Sequence, residues 1–240
     1  MQTSSKELKR IARINLTGNY KLTMGAFMLA TLIAFMIELP FSSLLNTEYA
    51  TTTQKITFYI SEFLISIIAG LLDIGLIYLH LKLSRHQKIS TSDIYYCFKN
   101  QSEKFVFAYT IILLFEYICN IPYYIGRYFI LDYDDISTVF VTLGLSFISL
   151  ILLLFVKVLF CFIFYVMLDC PHMSLIQCFS YSISLIKGHY FKTIYIYFSF
   201  VGLFILGLLS LGIGFLWIQP YYYQTLSNYY LSLKKVDYSI

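Results

Sequence analysis

The chain has 240 residues and a formal charge of +4, with 17 Lys and Arg against 13 Asp and Glu; 59% of its residues are hydrophobic and 12% charged. A soluble domain carries roughly a quarter charged residues, so this balance and a mean hydropathy of +0.73 exclude an ordinary soluble domain, while the wealth of aliphatics excludes intrinsic disorder. The excess of positive charge is too small to argue for nucleic acid as a partner, and what remains is an all-α polytopic transmembrane helical bundle.

In chain order, residues 1–21 come first and carry Lys6, Lys9, Arg10, Arg13 and Lys21 against the single Glu7. Leu8, Ile11, Ala12 and Leu16 fall on one face at helical spacing and leave the basic residues to the other. This is the pattern of a basic amphipathic helix lying on anionic lipid headgroups, with Lys6, Lys9, Arg10 and Arg13 as the contacts. The segment is too long and polar for a signal-peptide n-region, so the first span is expected to be retained.

About 20 apolar residues cross a bilayer as a helix. Residues 22–45, 57–81, 105–125 and 139–167 qualify, the first interrupted near its outer end by Glu38 and Pro40. The last apolar block reads either as one helix over 193–218, giving five spans, or as a helix over 193–209 that turns at Gly212-Ile213-Gly214 and returns over 215–233, giving six. Basic residues arbitrate. With a cytoplasmic N-terminus, 1–21, 82–104 and 168–192 hold five, five and two Lys or Arg, while 46–56 and 126–138 hold one each. Six spans also bring Lys234 and Lys235 inside, and that arrangement is preferred. Its weak element is the polar sixth span, with Gln219, Gln224, Ser227 and Asn228. A helix of that kind needs partners or water and reads as buried or partly interfacial, with lining a cavity as the lesser alternative.

Each cytoplasmic segment reads as an amphipathic stretch feeding a hairpin of two spans. The first closes at Gly18-Asn19-Tyr20, the second opens at Ser92 and runs to Lys99, and the third runs from about Ser174 to Gly188-His189-Tyr190. The residues Ile14–Tyr20 align with Ile183–Tyr190 if one insertion is allowed, and a glycine after the last turn fits a left-handed cap. Three copies of interfacial helix plus hairpin are the expectation.

At these residues the chain resembles a bacterial group of short polytopic membrane proteins known only as a domain of unknown function. The resemblance rests on the basic N-terminal helix with Gly18-Asn19-Tyr20, on Ser182 to Lys187-Gly188-His189, and on Gly212-Ile213-Gly214, Trp217 and Pro220-Tyr221. It implies a multi-pass helical fold in a bacterial plasma membrane and brings no activity, ligand or catalytic residue with it.

Ionisable side chains inside a span are functional candidates. At 1.5 Å per residue, Asp73, Glu116 and Lys157 lie about 12, 16 and 15 Å from the inner ends of their spans, on successive helices, placed to converge. Such a cluster is either a proton relay or ion site, or a structural ion pair that lets Lys157 be buried. It exists only if Lys157 comes within about 6 Å of a carboxylate. Glu38 and Glu62 form a second, outer pair, with solvated helix ends as the plainer account. Tyr123, Tyr124, Tyr128 and Tyr133 outside, and Tyr95 and Tyr96 inside, read as an aromatic belt.

The five cysteines are expected to stay reduced, and Cys170, His172 and Cys178 lack the fourth ligand and the spacing of a metal site. No His-Glu-x-x-His, Gly-x-Ser-x-Gly or P-loop pattern occurs. The expectation is therefore a non-enzymatic membrane protein with no cofactor, an envelope scaffold, sensor or protective factor. The alternative is a small transporter or channel using Asp73, Glu116 and Lys157. The bilayer is the expected partner, and association with a second copy is left open.

Overall fold

A computed structural model describes residues 4–42, 51–130, 132 and 135–237. The end of the first expected span beyond residue 42, and Tyr133 of the expected belt, lie outside them. Every regular element among the described residues is helical. Helix α1 (Ser5–Leu16) starts where the Ser4 hydroxyl accepts the Glu7 N–H at 3.2 Å and ends at Gly18 with φ +83°. Helix α2 (Tyr20–Ser42) buries only small positions, Thr23, Ala26 and Ala30, and runs on through Pro40 instead of breaking there. In this last described turn the ring removes a single N–H donor.

Helix α3 (Thr52–Ser84) opens on a Thr51–Gln54 capping box, but its buried residues begin only at Gly70. A 3-10 turn (Thr91–Tyr95) and the one-turn helix α4 (Tyr96–Lys99) follow. The sequence placed a helix with a Ser92 cap here. Instead Ser90 caps the turn in a box with Asp93, and Lys82 of α3 pairs with the same carboxylate at 2.9 Å. That anchor holds the segment against α3, where Ile94 and Cys97 are fully buried. Burial pushes the Cys97 thiol up to about 12. At pH 8 only about one molecule in 10⁴ then carries the nucleophilic thiolate. Maleimide at pH 8 is expected to spare Cys97 in the folded protein and label it after denaturation in SDS; labelling of the native protein at the rate of an open thiol would contradict the docking.

Helix α5 (Ser102–Cys119) meets α6 (Ile121–Ile125) at a 45° bend, and a π-helical turn continues to Ile130. The expected span 105–125 is therefore broken, because Pro122 follows Asn120 and cannot supply an N–H to the preceding turn. Next to the break, the Tyr123 N–H is taken by Ser149 Oγ of α7 at 3.0 Å. Helix α7 (Ile136–Leu159) is interrupted at residues 160–162 and resumes as α8 (Ile163–Asp169), almost wholly buried. Then come α9 (Leu175–Ile186), with a Ser174–Gln177 capping box, and α10 (Tyr190–Leu209). A turn with Gly212 at φ +88° leads to α11 (Phe215–Asp237).

Four segments are long and apolar enough to cross a membrane: Tyr20–Phe41, Thr52–Ser84, Ile136–Asp169 and Tyr190–Leu209; the bent pair 102–130 makes a fifth. Their outer surfaces carry Leu32, Phe35, Phe147, Leu150, Phe155 and Ile205 exposed, an exterior suited to hydrocarbon and too extensive for water. Helix α11 fails that test of composition, and its position explains why. It returns antiparallel to α10, as the pairs Phe204–Phe215, Tyr197–Tyr222 and Thr193–Tyr229 trace, and also packs on α1, α2 and α3. Gln224, Thr225, Ser227 and Asn228 are all buried. Their partners form a polar seam: His80 Nδ1–H donates to Gln224 Oε1 at 2.9 Å, Gln224 Nε2 to Ser84 Oγ at 2.7 Å, Ser84 to Asn228 Oδ1 at 2.9 Å, and Asn15 Nδ2 to the same oxygen at 3.3 Å.

The core lies at one end of the bundle, where Leu8, Ile74, Phe162, Tyr165, Ile186 and Tyr229 meet. The outer half of α3 makes no part of it.

Candidate functional site

Asp73 stands on α3 one turn beyond Gly70. A side chain at Gly70 would put its Cβ 2.2 Å from the Tyr109 ring, so the glycine lets α5 come close to α3. Glu116 lies in the last turn of α5, just ahead of the bend, and Lys157 in the last turn of α7. Lys157 Nζ sits 3.4 Å from Glu116 Oε1. The Lys157 charge also acts on Asp73, whose Oδ1 accepts the Tyr223 hydroxyl at 3.4 Å. Glu116 and Lys157 thus meet, while Asp73 stands apart from the pair and is held by Tyr223. Their spacing matters energetically: the Lys157 and Glu116 side chains are 60% and 32% exposed, so the pair is open at its edge and contributes little to the fold by itself.

The pair opens on a cavity of about 420 Å³ between α3, α5, α7, α8, α10 and α11, walled by Phe160, Phe164, Tyr165, Tyr197, Tyr222 and Tyr223 among others. Two local features shape it. The interruption at residues 160–162 leaves carbonyls at the end of α7 without helical partners, and the Tyr197 hydroxyl donates to the one of Lys157 at 3.3 Å. The tyrosine run after Pro220 supplies Tyr222 and Tyr223, so α11 lines this cavity, the lesser of the alternatives its polarity left open.

Glu38 and Glu62 come together as well. With Ala34, Phe41, Phe58 and Ser66 they line a separate space of about 180 Å³ between α2 and α3.

The basic residues of α1 divide. Lys6, Arg10 and Arg13 are exposed, and Arg10 pairs with Glu7 at 2.6 Å. Lys9 turns inward instead: its ammonium donates to the Ser199 carbonyl at 3.1 Å and lies 4.3 Å above the Phe200 ring. Among the described residues no group of three His, Cys, Asp or Glu is placed to hold a metal.

Sequence reasoning passed over Asp169. Its carboxylate, 8% exposed, joins Arg85 at the end of α3 and Lys234 on α11, and accepts the Tyr230 hydroxyl at 3.0 Å. The one signal available was its position as the sole carboxylate closing the longest apolar stretch.

No curated protein and no solved structure matches the chain. One family model does, over residues 1–237, nearly the whole length and with it every element of the bundle and both acidic sites. The chain therefore belongs to the family described as Protein of unknown function (DUF975).

Proposed function

We propose that this is a non-enzymatic, six-span protein of the bacterial plasma membrane, with both termini cytoplasmic, that acts as a sensor by binding a small molecule in the cavity beside Glu116 and Lys157. The observation that carries the reading is the opening of the Glu116–Lys157 pair onto an aromatic-walled space of about 420 Å³, within the range of small-molecule sites.

Three observations support the topology. Asp169 gathers the ends of α3, α8 and α11 at one side of the bundle, and Asn15 of α1 joins α11 at that same side. Helix α11 runs back along α10, as a sixth span would. The repeat gains support from burial: Leu8, Ala12, Asn15 and Leu16 in α1 correspond to Cys178, Ser182, Leu185 and Ile186 in α9. With a constant offset of 170 residues, Gly18 and Gly188 take φ +83° and +84°, and Thr23, Ala26 and Ala30 answer Thr193, Ile196 and Phe200. No insertion is needed. On this reading Lys6, Arg10 and Arg13 rest on anionic headgroups, at about 1 kcal/mol each.

The test is what the purified protein retains. Wild type extracted in mild detergent is expected to carry a bound small molecule detectable by native mass spectrometry, and Leu154→Trp, which fills the cavity, is expected to lose it. Identical content in both proteins would remove the site. The meeting of Glu116 with Lys157 favours a second reading, a small transporter. Liposomes distinguish it: solute flux through wild type that Glu116→Gln abolishes would make the protein a transporter, whereas the sensor reading expects equal, background flux from both.

A further inference from the structure

The geometry points to a lipophilic organic monocation as the occupant of the cavity between α5, α7, α10 and α11. This inference rests on the binding reading above and gives it a ligand class.

Charge is the first argument. Two carboxylates stand against one ammonium: Glu116 and Lys157 line the cavity as a pair, and Asp73 lies just behind it on the Tyr223 hydroxyl. The lining contributes no further Lys, Arg or His. A negative charge left over in a low-dielectric setting is costly until a counter-charge arrives. That counter-charge is either a proton or a bound cation, and the rest of the cavity decides between them.

The walls argue for a cation of some bulk. Faces of Phe and Tyr attract positive charge, and more strongly where water is excluded. Tyr223 links the two features directly, since its ring borders the cavity while its hydroxyl holds Asp73. A hard metal ion would require six to eight oxygen ligands, which this surface of aromatic and aliphatic carbon does not offer. A delocalised organic cation needs none. One polar group remains unused: Tyr165, 1% exposed, borders the cavity with a hydroxyl that makes no hydrogen bond. It is available to a polar substituent on the ligand.

Position supplies the last argument. Lys157 and Phe198 line the cavity and are themselves exposed on the apolar flank of the bundle. The entrance therefore faces hydrocarbon, and a ligand reaching it must first dissolve in the bilayer. Bulk, delocalised charge and lipid solubility together define the class.

The test uses the full chain in nanodiscs and two probes of matched shape and opposite charge, tetraphenylphosphonium and tetraphenylborate, with protein-free nanodiscs as background. Saturable binding of tetraphenylphosphonium is expected, and none of tetraphenylborate. Glu116→Gln, which removes the carboxylate lining the cavity, is expected to weaken binding at least about tenfold, the scale of a single opposite charge at contact, and Asp73→Asn, behind Tyr223, to weaken it less. Glu116→Asp is expected to keep most of it. Lys157→Met should act in the opposite sense and tighten binding by about tenfold or more, a gain that general damage to the fold does not produce. Saturable tetraphenylborate binding as tight as that of the phosphonium, or loss of cation affinity in Lys157→Met, would overturn the cation assignment. If Leu154→Trp still abolished the tetraphenylborate binding, the cavity reading would survive that result. No saturable binding of either probe to the wild type overturns the assignment as well, and the retained-molecule experiment then judges the cavity independently.

Discussion

Asp169→Ala is expected to be the most damaging single substitution in the chain, costing about 3–5 kcal/mol of stability, the scale for breaking a buried ion pair from one side. The carboxylate is 8% exposed and neutralises Lys234, itself 17% exposed, so its loss removes the counter-charge of a largely buried ammonium on α11. The Arg85 side chain is about a third exposed and retains part of its solvation, which places the expected loss toward the lower end of that range. Asp169→Asn should fall between wild type and alanine, because an amide still accepts from Tyr230 but carries no charge. Unfolding in mixed micelles with rising SDS measures the order. An alanine variant as stable as wild type would show that the three helix ends are held by apolar packing alone.

Gly75→Ala ranks next. A Cβ at Gly75 would lie 2.0 Å from the Ile94 carbonyl oxygen, and that neighbour is backbone, with no rotamer to give way. Overpacking typically costs about 1–3 kcal/mol; here relief requires moving the whole 3-10 turn off α3, against the Lys82–Asp93 pair that anchors it. The expected readout is therefore local as well as global. Cys97, shielded in the wild type, should become reactive to maleimide at pH 8 in Gly75→Ala, alongside a lowered midpoint in SDS. A variant that melts lower while Cys97 stays protected would place the accommodation elsewhere. By contrast, Gly25 and Gly144 have open space where a Cβ would go and should tolerate alanine.

How far the sequence foretold these features depends on the range of the interaction. Local signals were legible: Ser174 caps α9, Gly18 and Gly188 end helices with positive φ, and the apolar stretches became long helices. The meeting of Glu116 with Lys157 was also readable, since equal depth on neighbouring helices restricts where such groups can go. On the repeat reading proposed above, the buried faces of α1 and α9 match without the insertion that the letters Ile and Leu suggested. The buried face conserves position rather than identity, with Asn15 standing where Leu185 stands. Asp169 was invisible for another reason. Its partners, Arg85 and Lys234, lie 84 and 65 residues away, and no periodicity encodes a contact of that kind. The bend at Asn120 was overlooked although Pro122 announces it, since the apolar run continues across it without a gap.

The polar stripe of α11 bears on how the chain enters the membrane. A helix carrying Gln219, Gln224, Ser227 and Asn228 gains little from hydrocarbon alone, so the insertion machinery has no strong reason to release it sideways into lipid. Its hydrogen-bond partners, Asn15, His80 and Ser84, are all synthesised earlier. On the six-span reading proposed above, a receptive surface already stands in the bilayer when the last hairpin emerges, and the final helix is drawn in by its neighbours instead of by the solvent. Helix order along the chain thereby works as a timetable for insertion: moved to the front of the chain, the same helix would arrive before anything could hold it.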